Sequence, residues 1–421
     1  MASAPPSSHA EAAASVAMTA RLRAATLVVV ILSYLLFILL GMPDAMLGIA
    51  WPSMRSVFGM PLDALGQLLM AGTAGYIISS FTVGRMIKRL GMLNLLLVGA
   101  LLRAGGLAGY ALFPEWWMLI GVGFLTGFGG GMVDAGLNTY FAVNFGTRLM
   151  NWLHAAFGLG ATAGPILMTA LVTGGAGWRW GYGITAVLQL VLAAAVYIRR
   201  EDWRLRAAAS APATASEEAT PHIHRPYAVT LSRGLVWLQI LLFFLFTGVE
   251  ASAGNWSFTL FTEGRGVDAA TAGFWVSFYW GSFTFSRIIF GWISEKFSTT
   301  LLLMALFVLT VISAAMIWWN PVNAVGFAGL ALMGFAIAPI FPLVTSTTPA
   351  RLGAADAENA IGIQIAAAGL GIGLLPWLAG ILAQNVGLEA IGPFLFVISV
   401  VVLLLFGLIT VRSERGIDLS K

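Results

Sequence analysis

Three acidic residues, Asp44, Asp134 and Glu250, interrupt stretches that are otherwise apolar, and two basic residues, Arg103 and Arg287, do the same. Such a charge costs about 2.5–3.5 kcal/mol at the centre of a hydrocarbon layer, so it needs a partner, a wet cavity or neutralisation. Burial disfavours the charged form of a carboxyl, which is what a proton carrier working near neutral pH requires. Asp44, Asp134 and Glu250 are therefore the candidates for proton coupling. The competing reading for Asp134 is an ion pair with Arg103 that only holds helices together. Counting about 1.5 Å per residue from the same end of each helix puts Arg103 at roughly 17 Å and Asp134 at roughly 15 Å, so the two are expected to meet. By the same count Asp44 lies at roughly 30 Å and Glu250 at roughly 25 Å, where they are expected to face each other or a shared solute. Arg287 sits near a helix end and reads as a gating or structural residue.

Neutral polar and aromatic residues share these stretches. Asn138 follows Asp134 by one helical turn, so both lie on one face. His154 follows Asn151 by three residues, Asn255 and Trp256 follow Glu250, Trp275 and Tyr279 are four apart, and Gln364 stands alone. A sugar needs neutral donors and acceptors plus an aromatic platform. Asn138, His154, Asn255, Trp256, Trp275, Tyr279 and Gln364 are thus candidate solute contacts. The alternative for each is a hydrogen bond between helices with no ligand involved. Gly129-Gly130-Gly131 has no following Gly-Lys-Ser and reads as a close-packing segment, not a phosphate loop. Cysteine is absent, His222 and His224 are too few for a metal centre, and no ATP-binding motif or Ser/His/Asp cluster appears. No cofactor, metal or enzymatic role is expected, and the driving energy must come from a gradient.

The elements that carry these residues are membrane helices. The chain is 59% hydrophobic and 10% charged, against about 25% charged in soluble domains. Twelve apolar segments, from Ala24–Ala50 to Ile391–Val411, reach the roughly 20 residues that span a bilayer. Six lie on each side of the polar stretch Arg199–Arg233. With the N-terminus in the cytoplasm, seventeen Lys and Arg residues fall on the cytoplasmic side and three (Arg55, Arg179, Arg265) outside. That bias sets the orientation. It also disposes of nucleic acid as a partner, since the net charge of +4 is spread as a topology signal. The expected organisation is a disordered tail over 1–20, a six-helix bundle over 21–200, a flexible loop over 201–230, a second bundle over 231–412 and a tail over 413–421.

The halves repeat. Gly84–Gly91 (GRMIKRLG) aligns with Gly291–Ser298 (GWISEKFS), and Gly127-Phe128 aligns with Gly334-Phe335. Gly158-Leu159-Gly160 with Pro165 aligns with Gly369-Leu370-Gly371 with Pro376. Parallel repeats of this kind mark transporters. The loop after the second helix resembles the Gly-x-x-x-Asp-Arg-x-Gly-Arg motif of the major facilitator superfamily at Gly84, Arg89 and Gly91, and departs from it at Lys88. Asp44, Asp134, Asn138 and Met150–Pro165 resemble the fucose/glucose permease branch. The resemblance implies an all-α membrane protein with twelve transmembrane helices in two pseudo-symmetric bundles, working by alternating access. It implies proton-coupled uptake of a sugar across an inner membrane, both termini cytoplasmic, with Gly84, Arg85, Arg89, Gly91, Arg103 and Arg287 in structural or gating roles. Proton-coupled export of drugs or amphipathic metabolites is the alternative. The partners expected are a small polar solute, protons and lipid, around a monomer.

Overall fold

The computed structural model describes residues 8–210, 226–294 and 296–414. The first half comprises α1 (Ser8–Phe58), α2 (Leu65–Leu90), α3 (Met92–Leu112), α4 (Trp116–Asn144), α5 (Thr147–Thr173) and α6 (Trp178–Ile198). Two short helices follow, α7 (Arg200–Ser210) and α8 (Tyr227–Leu231). The second half comprises α9 (Gly234–Thr259), α10 (Ala269–Ile293), α11 (Thr299–Trp319), α12 (Asn323–Ile337), α13 (Ile340–Leu352), α14 (Ala354–Val386) and α15 (Ile391–Glu414). Among the described residues eleven helical segments are long and apolar enough to cross a membrane, α12 and α13 counting as one. The twelfth expected span is α10, whose 25 residues carry Ser277, Tyr279, Ser282, Thr284, Ser286 and Arg287 among the apolar ones.

Two of the expected irregular regions are helical. α1 is 51 residues long, about 75 Å at the helical rise and more than twice the roughly 30 Å of a hydrocarbon core. Ala10, Ala12, Ala13 and Ala14, strong helix formers, extend the membrane helix back to Ser8. The disordered tail expected over 1–20 is thus helical from Ser8, and residues 1–7 lie outside the described ones. In the expected loop 201–230, α7 docks on α1 and buries Trp203, α8 forms one turn, and 211–225 lie outside the described residues. Of the expected tail 413–421, residues 415–421 do so too.

The tenth span breaks between α12 and α13 at Pro339, and Pro342 follows one turn later. Proline has no N–H, so the carbonyl four residues earlier loses its helical partner. Neighbouring α10 supplies the missing donors: Ser286 Oγ donates to Phe335 O at 2.5 Å, and Arg287 Nε donates to Ala338 O at 3.2 Å.

The aligned glycines are equivalent packing points. A Cβ on Gly160 would lie 1.9 Å from Ile38 O, and one on Gly371 would lie 2.0 Å from Phe244 O, so α5 meets α1 as α14 meets α9. Gly127 rests on Gly72 O of α2 as Gly334 rests on Tyr279 O of α10. No side chain fits at these approaches, which is why glycine recurs there.

Three helix pairs join the halves: α5 with α10, α2 with α14 and α1 with α9. On the face opposite the termini the seam is shut. Arg55 pairs with Glu263 at 2.5 Å, and Leu62 N–H donates to Gln384 Oε1 at 2.8 Å. On the face bearing the termini, Arg85, Lys88 and Arg89 are exposed, and a Cβ on Gly84 or Gly291 would meet nothing within 4 Å. Gly91 stops α2 with φ +76°, a conformation open to glycine at no steric cost.

Candidate functional site

Arg103 is buried among α1, α3 and α4, its side chain 3% exposed. Its Nη2 donates to Leu40 O at 2.6 Å and to Asp44 Oδ1 at 2.8 Å, and its Nη1 donates to Thr126 O at 3.3 Å. The room for this guanidinium comes from Gly130, where a Cβ would lie 2.5 Å from Nη1. Gly129 and Gly131 likewise let α4 press on Gly99 O of α3 and Tyr76 O of α2, the close packing expected of the triple glycine. The ion pair of the first half is therefore Arg103 with Asp44, not with Asp134. The depth count misplaced Asp44 because α1 projects beyond the bundle, so its first apolar residue is not level with the starts of the other helices. A long arginine side chain covers further distance.

Asp134 is held by neutral donors instead. Tyr76 of α2 donates its hydroxyl to Asp134 Oδ2, and Asn138 Nδ2 donates to Oδ1 at 2.9 Å. Asp44 lies within electrostatic reach of Asp134 and Tyr76. Tyr76 was not among the sequence candidates. A lone tyrosine in a membrane helix gives little signal, because it packs as readily as it bonds.

The second half is built differently around Glu250. Among the described residues its carboxylate makes no hydrogen bond or ion pair, although Arg287 acts on it electrostatically. Tyr279, fully buried, donates its hydroxyl to the backbone carbonyl of Glu250 at 3.0 Å, tying α10 to α9. Arg287 lies 4.4 Å from the centroid of the Phe283 ring besides donating to Ala338 O. His154 of α5 is half-buried, edge-on to Phe37 with centroids 5.9 Å apart, and feels Arg287 across the seam. Trp280, missed by the sequence reading, sits against Gly254 of α9 with its buried indole N–H unpartnered among the described residues.

The crossing of α1 and α9 fixes where the two acids sit. A Cβ on Gly48 would lie 2.7 Å from Asn255 O and 2.9 Å from Gly254 O. Asp44 precedes Gly48 by four residues, and Glu250 precedes Gly254 by four. Both acids therefore lie one turn toward the termini face from the point where the two helices touch.

Several expected solute contacts have protein partners in this arrangement. Trp256 is fully buried and donates Nε1–H to Pro376 O at 2.8 Å, clamping α9 to α14. Gln364 is fully buried too. Its Nε2 donates to Gln239 Oε1 at 2.6 Å, and its Oε1 accepts from Thr348 at 3.2 Å. Asn255 bonds the carbonyl of Ala251 in its own helix at 2.8 Å, within the α1–α9 crossing. Trp275 stacks on Phe327 of α12 at 5.1 Å between centroids, with planes 8° apart. The lone amide of Gln239 in Leu235–Phe244 was a signal that a partner helix must supply an amide. The exposed basic end of α2, Arg85–Arg89, expected as a loop, is helical and makes no ion pair among the described residues.

Known proteins share this architecture. The model of the family described as Major Facilitator Superfamily matches residues 33–359. The chain is 23% identical over 402 residues to Bypass of stop codon protein 6 of Saccharomyces cerevisiae, covering 86% of this chain and 78% of that one. It is 21% identical over 355 residues to the glucose/mannose transporter GlcP of Bacillus subtilis, covering 82% and 86%. The solved structure of a D-xylose-proton symporter matches with TM-score 0.71 at 14% identity, over 90% of this chain and 97% of that one. The structure of the nucleoside transporter NupG matches with TM-score 0.73 at 14% identity, over 91% and 99%. With eleven membrane-length apolar helices among the described residues, equivalent glycine contacts within each half and a family match over most of its length, the chain belongs to the Major Facilitator Superfamily and is a multi-pass membrane transporter, not an enzyme.

Proposed function

We propose that the protein moves a small neutral solute, a sugar, in symport with protons by alternating access, in an inner membrane with both termini cytoplasmic. The observation that carries this reading is Glu250: a carboxyl without a donor among the described residues, within electrostatic reach of Arg287, one turn from the crossing of α1 and α9. A carboxyl that costs this much in a membrane and has no fixed partner is suited to taking up and releasing a proton. Asp44 and Asp134 already have donors in Arg103 and in Tyr76 and Asn138, so Glu250 is the first choice of carrier among the three. The half-buried Asn138, His154 and Trp280 supply neutral polar and aromatic surface nearby. Two similar proteins are named for sugars, a glucose/mannose transporter and a D-xylose-proton symporter, which supports the solute class.

Right-side-out vesicles with an imposed pH gradient test the proposal. An inward proton gradient drives accumulation of radiolabelled D-glucose, and Glu250→Gln abolishes that accumulation while leaving exchange of labelled for unlabelled D-glucose intact. Gradient-driven accumulation that persists in Glu250→Gln removes Glu250 as the carrier.

One feature favours a second reading, proton-coupled export of an amphipathic metabolite. A crevice of about 360 Å³ opens between α5 and α10, lined mainly by apolar groups of Ile166, Ala170, Phe274 and Phe278. Phe274 and Phe278 are exposed on the outside of the bundle, so the crevice lies apart from the acids. Extrusion of an amphiphile against its gradient, with no sugar uptake, would establish export in place of the first reading.

A further inference from the structure

We infer that Asp44 is the fixed acceptor of the solute's hydroxyl hydrogens and does not itself carry the transported proton; this rests on the sugar reading above. The assignment starts from Arg103. Its guanidinium is almost wholly buried and meets two neutral carbonyls, Leu40 O and Thr126 O, and one carboxylate, Asp44. Asp44 therefore balances a positive charge that cannot leave the interior. Taking up a proton there would strand the guanidinium among dipoles, and an uncompensated buried charge is strongly unfavourable. A Cβ on Gly130 would lie 2.5 Å from Nη1, so the guanidinium packs directly against the α4 backbone. The pair is thus rigid at one oxygen.

The rest of the Asp44 carboxylate is open. Its side chain is 55% exposed, although Met42, Ala45 and Met46 around it are buried. Tyr76, Tyr110, Tyr182 and Asp134, from α2, α3, α6 and α4, all lie within its electrostatic reach, so the carboxylate is on the side of α1 that faces the other helices of its half. A carboxylate accepts hydrogen bonds and donates none. Held by Arg103, its free lone pairs suit hydroxyl donors and repel anionic groups, so the site favours neutral polyhydroxylated solutes over sugar acids or phosphates. The two halves thereby divide the work at equivalent positions. Asp44 recognises, and Glu250, which has no donor, exchanges the proton.

The test is counterflow in proteoliposomes holding the full chain, with radiolabelled D-glucose and its monodeoxy analogues as competitors. For Asp44→Asn the half-saturation concentration for D-glucose is expected to rise at least tenfold, the size of a lost charge-assisted hydrogen bond. Discrimination between D-glucose and at least one monodeoxy analogue should collapse with it. Should Asp44→Asn fail to fold with Arg103 unbalanced, Asp44→Asn with Arg103→Gln removes both charges and is read in the same assay with the same expectation. Asp44→Asn that keeps its half-saturation and loses only uphill accumulation makes Asp44 the carrier and overturns the inference alone. A raised half-saturation with discrimination intact indicates a merely structural role and overturns it as well. Wild-type protein without counterflow of D-glucose, D-mannose or D-xylose overturns the sugar reading, and this inference falls with it.

Discussion

Asp44 and Glu250 are equivalent residues of the two halves, each six positions beyond the carbonyl, Ile38 O or Phe244 O, on which the second glycine of a Gly-Leu-Gly segment rests. Their surroundings are not equivalent. Asp44 answers to Arg103 on α3, whereas the cation near Glu250 is Arg287 on α10, already engaged by Ala338 O. A duplicated scaffold thus holds one acid in a permanent pair and leaves its counterpart unpaired.

The first prediction follows from that difference. Removing one partner of a buried ion pair costs about 3–5 kcal/mol, and the exposure of Asp44 cuts this to about 1–3 kcal/mol through screening. Glu250→Gln removes a charge that no donor holds, so its cost is smaller. Thermal unfolding in detergent should therefore show a larger drop in Tm for Asp44→Asn than for Glu250→Gln. Equal drops, or the reverse order, would contradict the assignment of the pair.

A second prediction concerns the break in the tenth span. Ser286 donates to Phe335 O because Pro339 cannot. Ser286→Ala orphans that carbonyl and should cost about 1–2 kcal/mol. Pro339→Ala restores an N–H four residues on. In that background the same Ser286→Ala change should be nearly neutral. A double-mutant cycle on Tm measures the coupling, and additivity between the two changes would show that Pro339 is not the reason for the Ser286 bond.

A third concerns Gln364 and Gln239. Gln364→Leu leaves Gln239 Oε1 without its donor inside the second bundle, while the Thr348 hydroxyl keeps Val344 O as acceptor. The expected loss is about 1–3 kcal/mol. Gln239→Leu together with Gln364→Leu replaces the amide pair by apolar surface and should recover most of it, while the half-saturation for solute stays as in the wild type. Loss of solute affinity in the double variant would return Gln364 to the binding site.

How much of this was legible in the sequence depends on what each residue type can encode. The repeat was readable because a helix approach of 1.9–2.0 Å to a would-be Cβ admits only glycine, so the packing points at Gly160 and Gly371 leave a mark in the chain itself. Asp44, Asp134 and Glu250 stood out because charge is costly in an apolar run. Their partners did not, since pairing depends on how far each helix projects, and α1 projects far beyond the others. Gln364 and Trp256 looked like solute contacts for the same reason they have protein partners: a polar atom in a membrane helix must be satisfied, and the sequence does not say by what. The break in the tenth span was not read from Pro339 and Pro342, and nothing in the spacing tied them to Ser286 and Arg287 some fifty residues earlier.

The fourth prediction contrasts two indoles. Trp256 donates to Pro376 O at 2.8 Å, and the Trp280 N–H has no partner among the described residues. Trp256→Phe therefore loses a bond between α9 and α14 and should cost about 1 kcal/mol beyond the change in packing. Trp280→Phe loses none and relieves an unsatisfied donor, so its Tm should match or exceed the wild type. A Tm for Trp280→Phe well below that of Trp256→Phe would mean that the Trp280 donor has a partner after all.

The last prediction addresses the closed face. Arg55 and Glu263 bridge α1 and the turn after α9, with side chains 28% and 31% exposed. A pair this accessible to water is worth about 0–1 kcal/mol, so it cannot hold the face shut by itself. It can shift the balance between two alternating states by up to about fivefold. The chain has no cysteine, so a single Asn138→Cys reports on access to the interior without further engineering. In the wild-type background a membrane-impermeant maleimide should label it faster from the termini face than from the opposite face. Arg55→Ala or Glu263→Ala should raise labelling from the opposite face by up to about fivefold, and the two changes together should do no more than either alone, because they remove the same bond. Labelling from that face that ignores both substitutions would mean that the seam is held by the α1–α9 contact at Gly48 and the Leu62 N–H to Gln384 bond, and that the ion pair is incidental to the gate.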